Sequence, residues 1–254
     1  MGWWEADGGH RDTISLRAPT AEDHLCLAEA ADLLQVEQVT LLLDRCIRGA
    51  GRDVPSSADL VLGDREALLL HLRRLVLGDH LEVVLTCPGN GCDQMIEIAL
   101  SVASLLLAPY PHAAPAFTVG ARSLRLPTGA DQTHAARMAG NGSSGTARWL
   151  LERCAGAGAG ERDAGVLAAT MRELDPQAEI ELELECPACG LRFTGILDAG
   201  SVVLRELQRE RAALLREIHL LASRYHWDER ALLRMSARRR GIYLSQLSGA
   251  AAGA

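Results

Sequence analysis

Residues 178–197 read AEIELELECPACGLRFTGIL, and this stretch decides the fold. Apolar and polar residues alternate as far as Glu185, a Cys-Pro-Ala-Cys-Gly turn follows, and alternation resumes beyond it. Period-two alternation marks a strand with one buried face, so the stretch predicts a β-hairpin with Cys186 and Cys189 in its turn. A longer version stands upstream at 81–100, LEVVLTCPGNGCDQMIEIAL, with Cys87 and Cys92 in the turn. Pro88 and Pro187 fix the two turns, and Gly91 and Gly190 supply backbone angles that other residues resist. A Cys-x2–4-Cys pair in such a turn presents two thiolates on one side of the chain, and two turns face to face complete a tetrahedral site. Cys87, Cys92, Cys186 and Cys189 are therefore the predicted ligands of one zinc ion per chain. Four thiolates close the coordination sphere, which makes the site structural, with an apparent binding energy of about 10–16 kcal/mol. The alternative is four reduced cysteines in two ordinary turns, and the x4 spacing of Cys87 and Cys92 is the departure that leaves it open.

The repetition extends well beyond the turns. SLRAPTAEDHLCLAEAADLLQVEQVTLLLDRC (15–46) aligns without a gap on SLRLPTGADQTHAARMAGNGSSGTARWLLERC (123–154), with 12 identities in 32 positions, where chance gives about 2–3. The Cys-Pro turn follows 41 residues later in the first copy and 32 later in the second. The sequence thus reads as a tandem duplication with a shortened second half. Both copies close on Leu-Leu-x-Arg-Cys, which places Cys46 and Cys154 at equivalent buried positions; Cys26 also reads as a small buried hydrophobe.

Each copy has the same predicted order: a short strand ending at a proline, a helix capped by Thr20 or Thr128, a second helix, a third, and the hairpin. The third helix of the first copy is expected to begin at Asp64 as N-cap. Its counterpart in the second is closed by Asp175-Pro176. GNGSSG (140–145) interrupts, in the second copy only, a helical stretch expected to run on in the first. AGAGAGERDAG (155–165) is a further loose stretch. The resulting fold class is α+β: an N-terminal tail (1–11), unit one (12–106), a Pro-rich connector (107–117), unit two (118–200), and a helical C-terminal arm (201–254), the two helix-plus-hairpin units sharing a zinc-ribbon-like site of four cysteines.

Composition narrows the function. The 254 residues are 48% hydrophobic and 23% charged, with net charge −7, which argues against a surface built for nucleic acid. No apolar run approaches the 18–20 or so residues of a membrane span, and the start, MGWWEADGGHRD, has neither the basic nor the apolar region of a signal peptide. The expectation is a cytoplasmic protein. GNGSSGTA lacks the lysine and hydroxyl of a phosphate-binding loop, the eight histidines are dispersed, and no paired carboxylates or Cys–His dyad stand out, so no enzyme is predicted.

In the arm, Leu204, Leu207, Arg211, Leu214, Ile218, Leu221 and Tyr225 follow a 3-4-3-4-3-4 spacing, a coiled-coil-type seam that packs either on its own domain or on a partner. A second helix is expected near Asp228, with Arg234, Arg238, Arg239 and Arg240 clustered beyond it.

The order LLLDRCI, DREALLLHLRRLVLGDHLEVVLTCP, LRLPTGAD, LDPQAEIELELECPACG, LLREIHLLASRYHWDERALL and RRRGIYL resembles the baseplate proteins of contractile phage tails and of phage-tail-like extracellular injection systems, over residues 12–247. That resemblance implies a non-enzymatic baseplate component or baseplate-assembly factor, free in the cytoplasm or incorporated in a tail-like particle, whose partners are other baseplate and tail subunits. It maps the family's Cys-Pro turns onto Cys87, Cys92, Cys186 and Cys189. The competing reading is a zinc-ribbon nucleic-acid-binding regulator that uses the arginine cluster.

Overall fold

The computed structural model describes residues 3–4, 10–11, 14–48, 56–107, 117–119, 122–140, 145–156 and 161–251. Most of the Pro-rich connector, the centre of GNGSSG, residues 157–160 and much of the N-terminal tail lie outside these residues.

The first half runs β1 (Trp3–Trp4), β2 (His10–Arg11), β3 (Ser15–Leu16), α1 (Ala21–Glu29), α2 (Gln35–Cys46), β4 (Ile47–Arg48), a 3-10 turn (Ser57–Asp59), α3 (Leu62–Leu77), the hairpin β5 (His80–Thr86) and β6 (Met95–Ser101), and the short α4 (Val102–Leu105). The second half runs β7 (Phe117–Val119), β8 (Arg122–Leu124), α5 (Gly129–Gly140), α6 (Thr146–Ala155), α7 (Glu161–Leu174), and the hairpin β9 (Ile180–Glu185) and β10 (Arg192–Leu197). The arm is α8 (Ala199–Tyr225), α9 (Glu229–Leu233) and α10 (Ala237–Ala251). All strand ladders among the described residues are two-stranded and antiparallel. The α+β expectation is met as a mixture of helices and small antiparallel hairpins.

Segments 15–46 and 123–154 occupy the same element order, strand, helix, helix, and several of the residues they share make corresponding contacts, although β3 pairs with β4 after α2 whereas β8 pairs with β7 before α5. Thr20 caps α1 by accepting from the Asp23 amide, and Asp23 returns a bond to the Thr20 amide at 2.7 Å. In the second segment the Thr128 amide donates to Asp131 at 3.0 Å and the Thr128 hydroxyl at 3.1 Å. Asp23, fully buried, takes Arg17 and Arg45; Asp131 takes Arg125 through both terminal nitrogens, with Arg153 at 3.5 Å. The Arg17 amide donates to the Cys46 carbonyl and the Arg125 amide to the Cys154 carbonyl, each at 3.0 Å. Each segment is thereby closed by a carboxylate–arginine clasp joining its strand, first helix and second helix. Cys46 and Cys154 are both buried, and burial pushes both thiols up to about 11. Cys26, by contrast, is only half-buried, since α1 leaves that face partly open.

Some boundaries differ from the sequence reading. The first segment is not continuous where GNGSSG interrupts the second: α1 ends at Glu29, and a turn intervenes before α2. No glycine or proline marks it. Gln38 satisfies its carbonyls instead, donating to Ala31 and Leu33, and the Leu34 amide finds Glu37 at 3.0 Å. Likewise α3 begins at Leu62, not Asp64. The reason lies in the other half. Val61 bridges to Thr128, the Leu62 amide donates to the Pro127 carbonyl, and the Gly129 amide to the Leu60 carbonyl. These bonds hold the strand-like lead into α3 beside the lead into α5. Asp64 is left buried inside the first turn of the helix.

The main core draws on α1, α2, α3, both hairpins and the first half of α8: Leu42, Leu43, Leu69, Leu72, Leu81, Val83, Ile180, Leu197, Val203 and Leu207 belong to one buried cluster. The hairpins face each other closely, since a methyl at Gly195 would come within 2.6 Å of Leu85 Cδ1. A smaller cluster around Leu124, Cys154 and Leu167 serves the second half's own helices. Arg73, buried on α3, grips Glu206 of α8 through two 3.1 Å bonds. Further along α8, Leu214, Ile218 and Leu221 are covered by Ala21 and by Leu232, Tyr243 and Leu244. The coiled-coil-type seam is thus filled by the chain's own residues, its first half in the core and its second half under α9 and α10. Among the described residues no helix is long and apolar enough to cross a membrane.

Candidate metal centre

Both hairpins end in a loop that begins with a buried cysteine. In the first, the ladder's last pair is Thr86 with Met95, and the Cys87 amide donates to the Gln94 carbonyl at 2.9 Å. In the second, the last pair is Glu185 with Arg192, and the Cys186 amide donates to the Leu191 carbonyl, again at 2.9 Å. The first loop spans 87–94 and the second 186–191, so the first is two residues longer. It absorbs the excess in two left-handed residues, Gly91 (φ 73°) and Asp93 (φ 46°), where the second needs only Gly190 (φ 71°). The x4 spacing therefore still returns Cys92 to the site.

All four sulfurs lie within 4.8 Å of one another. They pair crosswise: Cys87 with Cys189 and Cys92 with Cys186, each at 3.7 Å. The leading cysteine of one loop thus meets the trailing cysteine of the other. The leading pair, Cys87 and Cys186, is buried, while Cys92 is half-buried and Cys189 exposed. A disulfide needs sulfurs about 2.05 Å apart, and these cysteines are free. A tetrahedral ion with metal–sulfur bonds of about 2.3 Å requires sulfur–sulfur edges of about 3.8 Å, and the two cross pairs sit at that separation.

The loop backbones are aimed at the sulfurs. The Gly89 amide points to Cys87 Sγ at 3.4 Å, the Gln94 amide to Cys92, and those of Cys189 and Ala188 to Cys186. Such bonds favour thiolate over thiol. The Cys189 and Ala188 amides bring Cys186 down to about 7; at Cys87 the Gly89 amide is outweighed by burial and the neighbouring thiols, which hold it up at about 12. Four thiolates so close repel one another strongly, and a central dication removes that conflict. The four cysteines can hold a metal ion, and they are the one group of His, Cys, Asp and Glu side chains with metal-binding spacing among the described residues.

Sequence reasoning brought these four residues together but missed Gly89. A Cβ there would lie 3.3 Å from Cys87 Sγ, 3.3 Å from Leu191 Cδ2 and 3.5 Å from Cys189 Sγ, so the residue is the crossing point of the two loops; the Cys-Pro-Gly run was the available signal. Also missed were two carboxylates at the start of α3. Asp175, buried just before the second hairpin, accepts from the Gly63 amide at 2.9 Å, and burial and the Asp175 charge push Asp64 up to about 7. Glu66, raised to about 7 by burial and by Asp198 just after that hairpin, keeps one buried oxygen without a partner.

Of the predicted arginine cluster, Arg234, Arg238 and Arg239 are exposed, and Arg240 is withdrawn from the surface. Arg240 is buried, bonded to Glu217 and to the Met235 carbonyl, and Arg239 lies over the Tyr243 ring at 6.0 Å. His219 and His226 are at the surface of the arm and belong to no metal-spaced group among the described residues. Comparison of the chain with protein-family models, with curated proteins and with solved structures finds no match.

Proposed function

We propose that this chain is a non-enzymatic component or assembly factor of the baseplate of a contractile, phage-tail-like injection system, working through protein–protein contacts. In this reading it is a tandem duplication whose halves each give two cysteines to one structural zinc ion, in a zinc-ribbon-like arrangement. The observation that carries the architectural part is the crosswise pairing of the sulfurs at 3.7 Å, which a soft, tetrahedral, four-thiolate ion such as zinc fits. The recurrence of the clasp at Asp23 and Asp131 supports the duplication, because the shared residues are the ones that make it.

A four-thiolate sphere has no open position for a substrate, which favours a structural role over catalysis. The baseplate assignment itself rests on the sequence resemblance over residues 12–247. The nucleic-acid reading relied on the arginine cluster, and the burial of Arg240 weakens its motive. Deleting this gene from its own cluster and imaging the particles by electron microscopy tests the assignment: contractile particles should fail to assemble or lack baseplates. Particles complete in number and form without the gene would overturn it.

A further inference from the structure

Charge is unevenly divided along the chain. All 26 basic residues are arginine. Ten of them, against five acids, fall in 199–254, giving +5 there; the remaining 16 arginines and 28 acids give −12 over 1–198, consistent with the total of −7. The basic part has a definite surface. At 100° per residue, Arg205, Arg209, Arg216 and Leu220 lie along one side of α8, opposite the buried stripe of Leu207, Leu214, Ile218 and Leu221. These four residues are exposed, the stripe carries no acid, and the three arginines make no ion pair among the described residues.

The outer face of the first hairpin is its complement. Glu82 is 79% exposed, Val84 49% and Met95 67%, and Glu97, opposite Val84 in the ladder, is exposed as well. This face contains no arginine; its His80 ring shares a 3.2 Å bond with Glu82. Glu82 and Glu97 are diagonal neighbours about 7 Å apart; Arg209 and Arg216 are two helical turns, about 10.5 Å, apart along α8, a difference that their long side chains span. Leu220, a turn beyond Arg216, matches the apolar Val84 and Met95. The two faces cannot meet within one chain. Leu81 and Val83 on the inner side of the hairpin share a core cluster with Leu204 and Leu207 of α8, so both charged faces point away from that core.

We infer that the arginine stripe of α8 docks on the outer face of the first hairpin of a second copy of this chain, head to tail. The contact is heterologous, so it propagates into a ring or an open chain of subunits. Opposed arginines and glutamates set the register, and the exposed apolar side chains fill the centre. The inference does not depend on the baseplate assignment.

Sedimentation velocity of the full chain over a concentration series tests it. At low salt the mass should rise above the 27.3 kDa of one chain and return to it in about 0.5 M sodium chloride, where charges are screened within a few ångströms. The double variants Arg209→Glu/Arg216→Glu and Glu82→Arg/Glu97→Arg should each stay at one-chain mass, and an equimolar mixture should associate again, because each retains the face the other lacks. All four positions are exposed, and circular dichroism checks that both variants fold. A wild-type chain that stays single at every concentration overturns the inference, as does association that both variants leave unchanged. Binding of a DNA duplex or heparin that the arginine variant alone abolishes, with the protein single throughout, would assign the stripe to a polyanion instead.

Discussion

Replacing Asp23 with alanine removes the acceptor at the centre of the first clasp. The Asp23 carboxylate is fully buried and takes bonds from Arg17 Nη1 and Nη2, Arg45 Nε at 2.6 Å, the Thr20 amide at 2.7 Å and the Thr20 hydroxyl at 2.9 Å. Burial alone would raise its pKa, but these partners outweigh it and hold the carboxyl far below the usual range. Breaking a buried ion pair costs about 3–5 kcal/mol when the stranded partner stays dry. Here Arg17 and Arg45 retain 27% and 32% exposure, so water relieves them and the lower end applies: about 3 kcal/mol. In a chain of this size that lowers the melting temperature by about 6–12 °C. Because the native pKa is depressed, the contribution is present above the unfolded value of about 3.9 and is lost as pH falls through the native one. Urea unfolding of wild type and Asp23→Ala should therefore differ by about 3 kcal/mol at pH 7, with the gap shrinking below about pH 4. Asp131→Ala, where the carboxyl sits at about 2 and Arg153 is 63% exposed, should show the same pattern with a smaller gap. A loss under about 1 kcal/mol at Asp23, the range of an ordinary surface ion pair, would refute the reasoning.

Three further outcomes are expected. Gly63→Ala places a Cβ 1.8 Å from Asp175 Oδ1 and should destabilise by about 1–3 kcal/mol or more, since the buried carboxylate cannot retreat; a neutral result in denaturant titration would show that the two halves are not in contact there. Asp64→Asn mimics the protonated acid. Burial and Asp175 raise Asp64 to about 7, so the wild type has its full stability from this group below about pH 4 and loses it as pH rises to 7; the variant should melt higher than wild type at pH 8 and no higher at pH 4. Thiol labelling of the native protein should spare Cys46 and Cys154, whose thiols burial pushes up to about 11; mass spectrometry finding them modified before unfolding would contradict their burial.

Local chemistry made much of the fold legible in the sequence. The hairpins follow from alternation and a two-cysteine turn, and the clasp residues are visible as the identities Ser-Leu-Arg, Pro-Thr, Asp and Arg-Cys shared by residues 15–46 and 123–154. Whatever depended on residues far apart in sequence was hidden. Asp64 looks like a helix cap because Asp is a good one; only Pro127 and Thr128, meeting residues 61 and 62 from the other half, move the helix start and bury the carboxyl. The break between α1 and α2 escaped because Gln38 and Glu37 satisfy it with side chains. The α8 seam was legible as a stripe, but what covers it was not: apolar spacing is the same whether the partner is Leu232 of the same chain or another subunit. At the cysteine cluster the four residues that come together could be read in advance, and the crosswise pairing could not, because it depends on how two loops of unequal length approach.

The central claim, that the two halves are tied by one zinc ion on Cys87, Cys92, Cys186 and Cys189, is tested most directly by elemental analysis and zinc-edge absorption spectroscopy of the purified full chain. One zinc per chain with four sulfur neighbours at about 2.3 Å, lost together with the thermal transition when Cys186→Ser is introduced or a chelator strips the metal, is the predicted result. A chain that folds without metal, and whose melting is indifferent to both treatments, would contradict it.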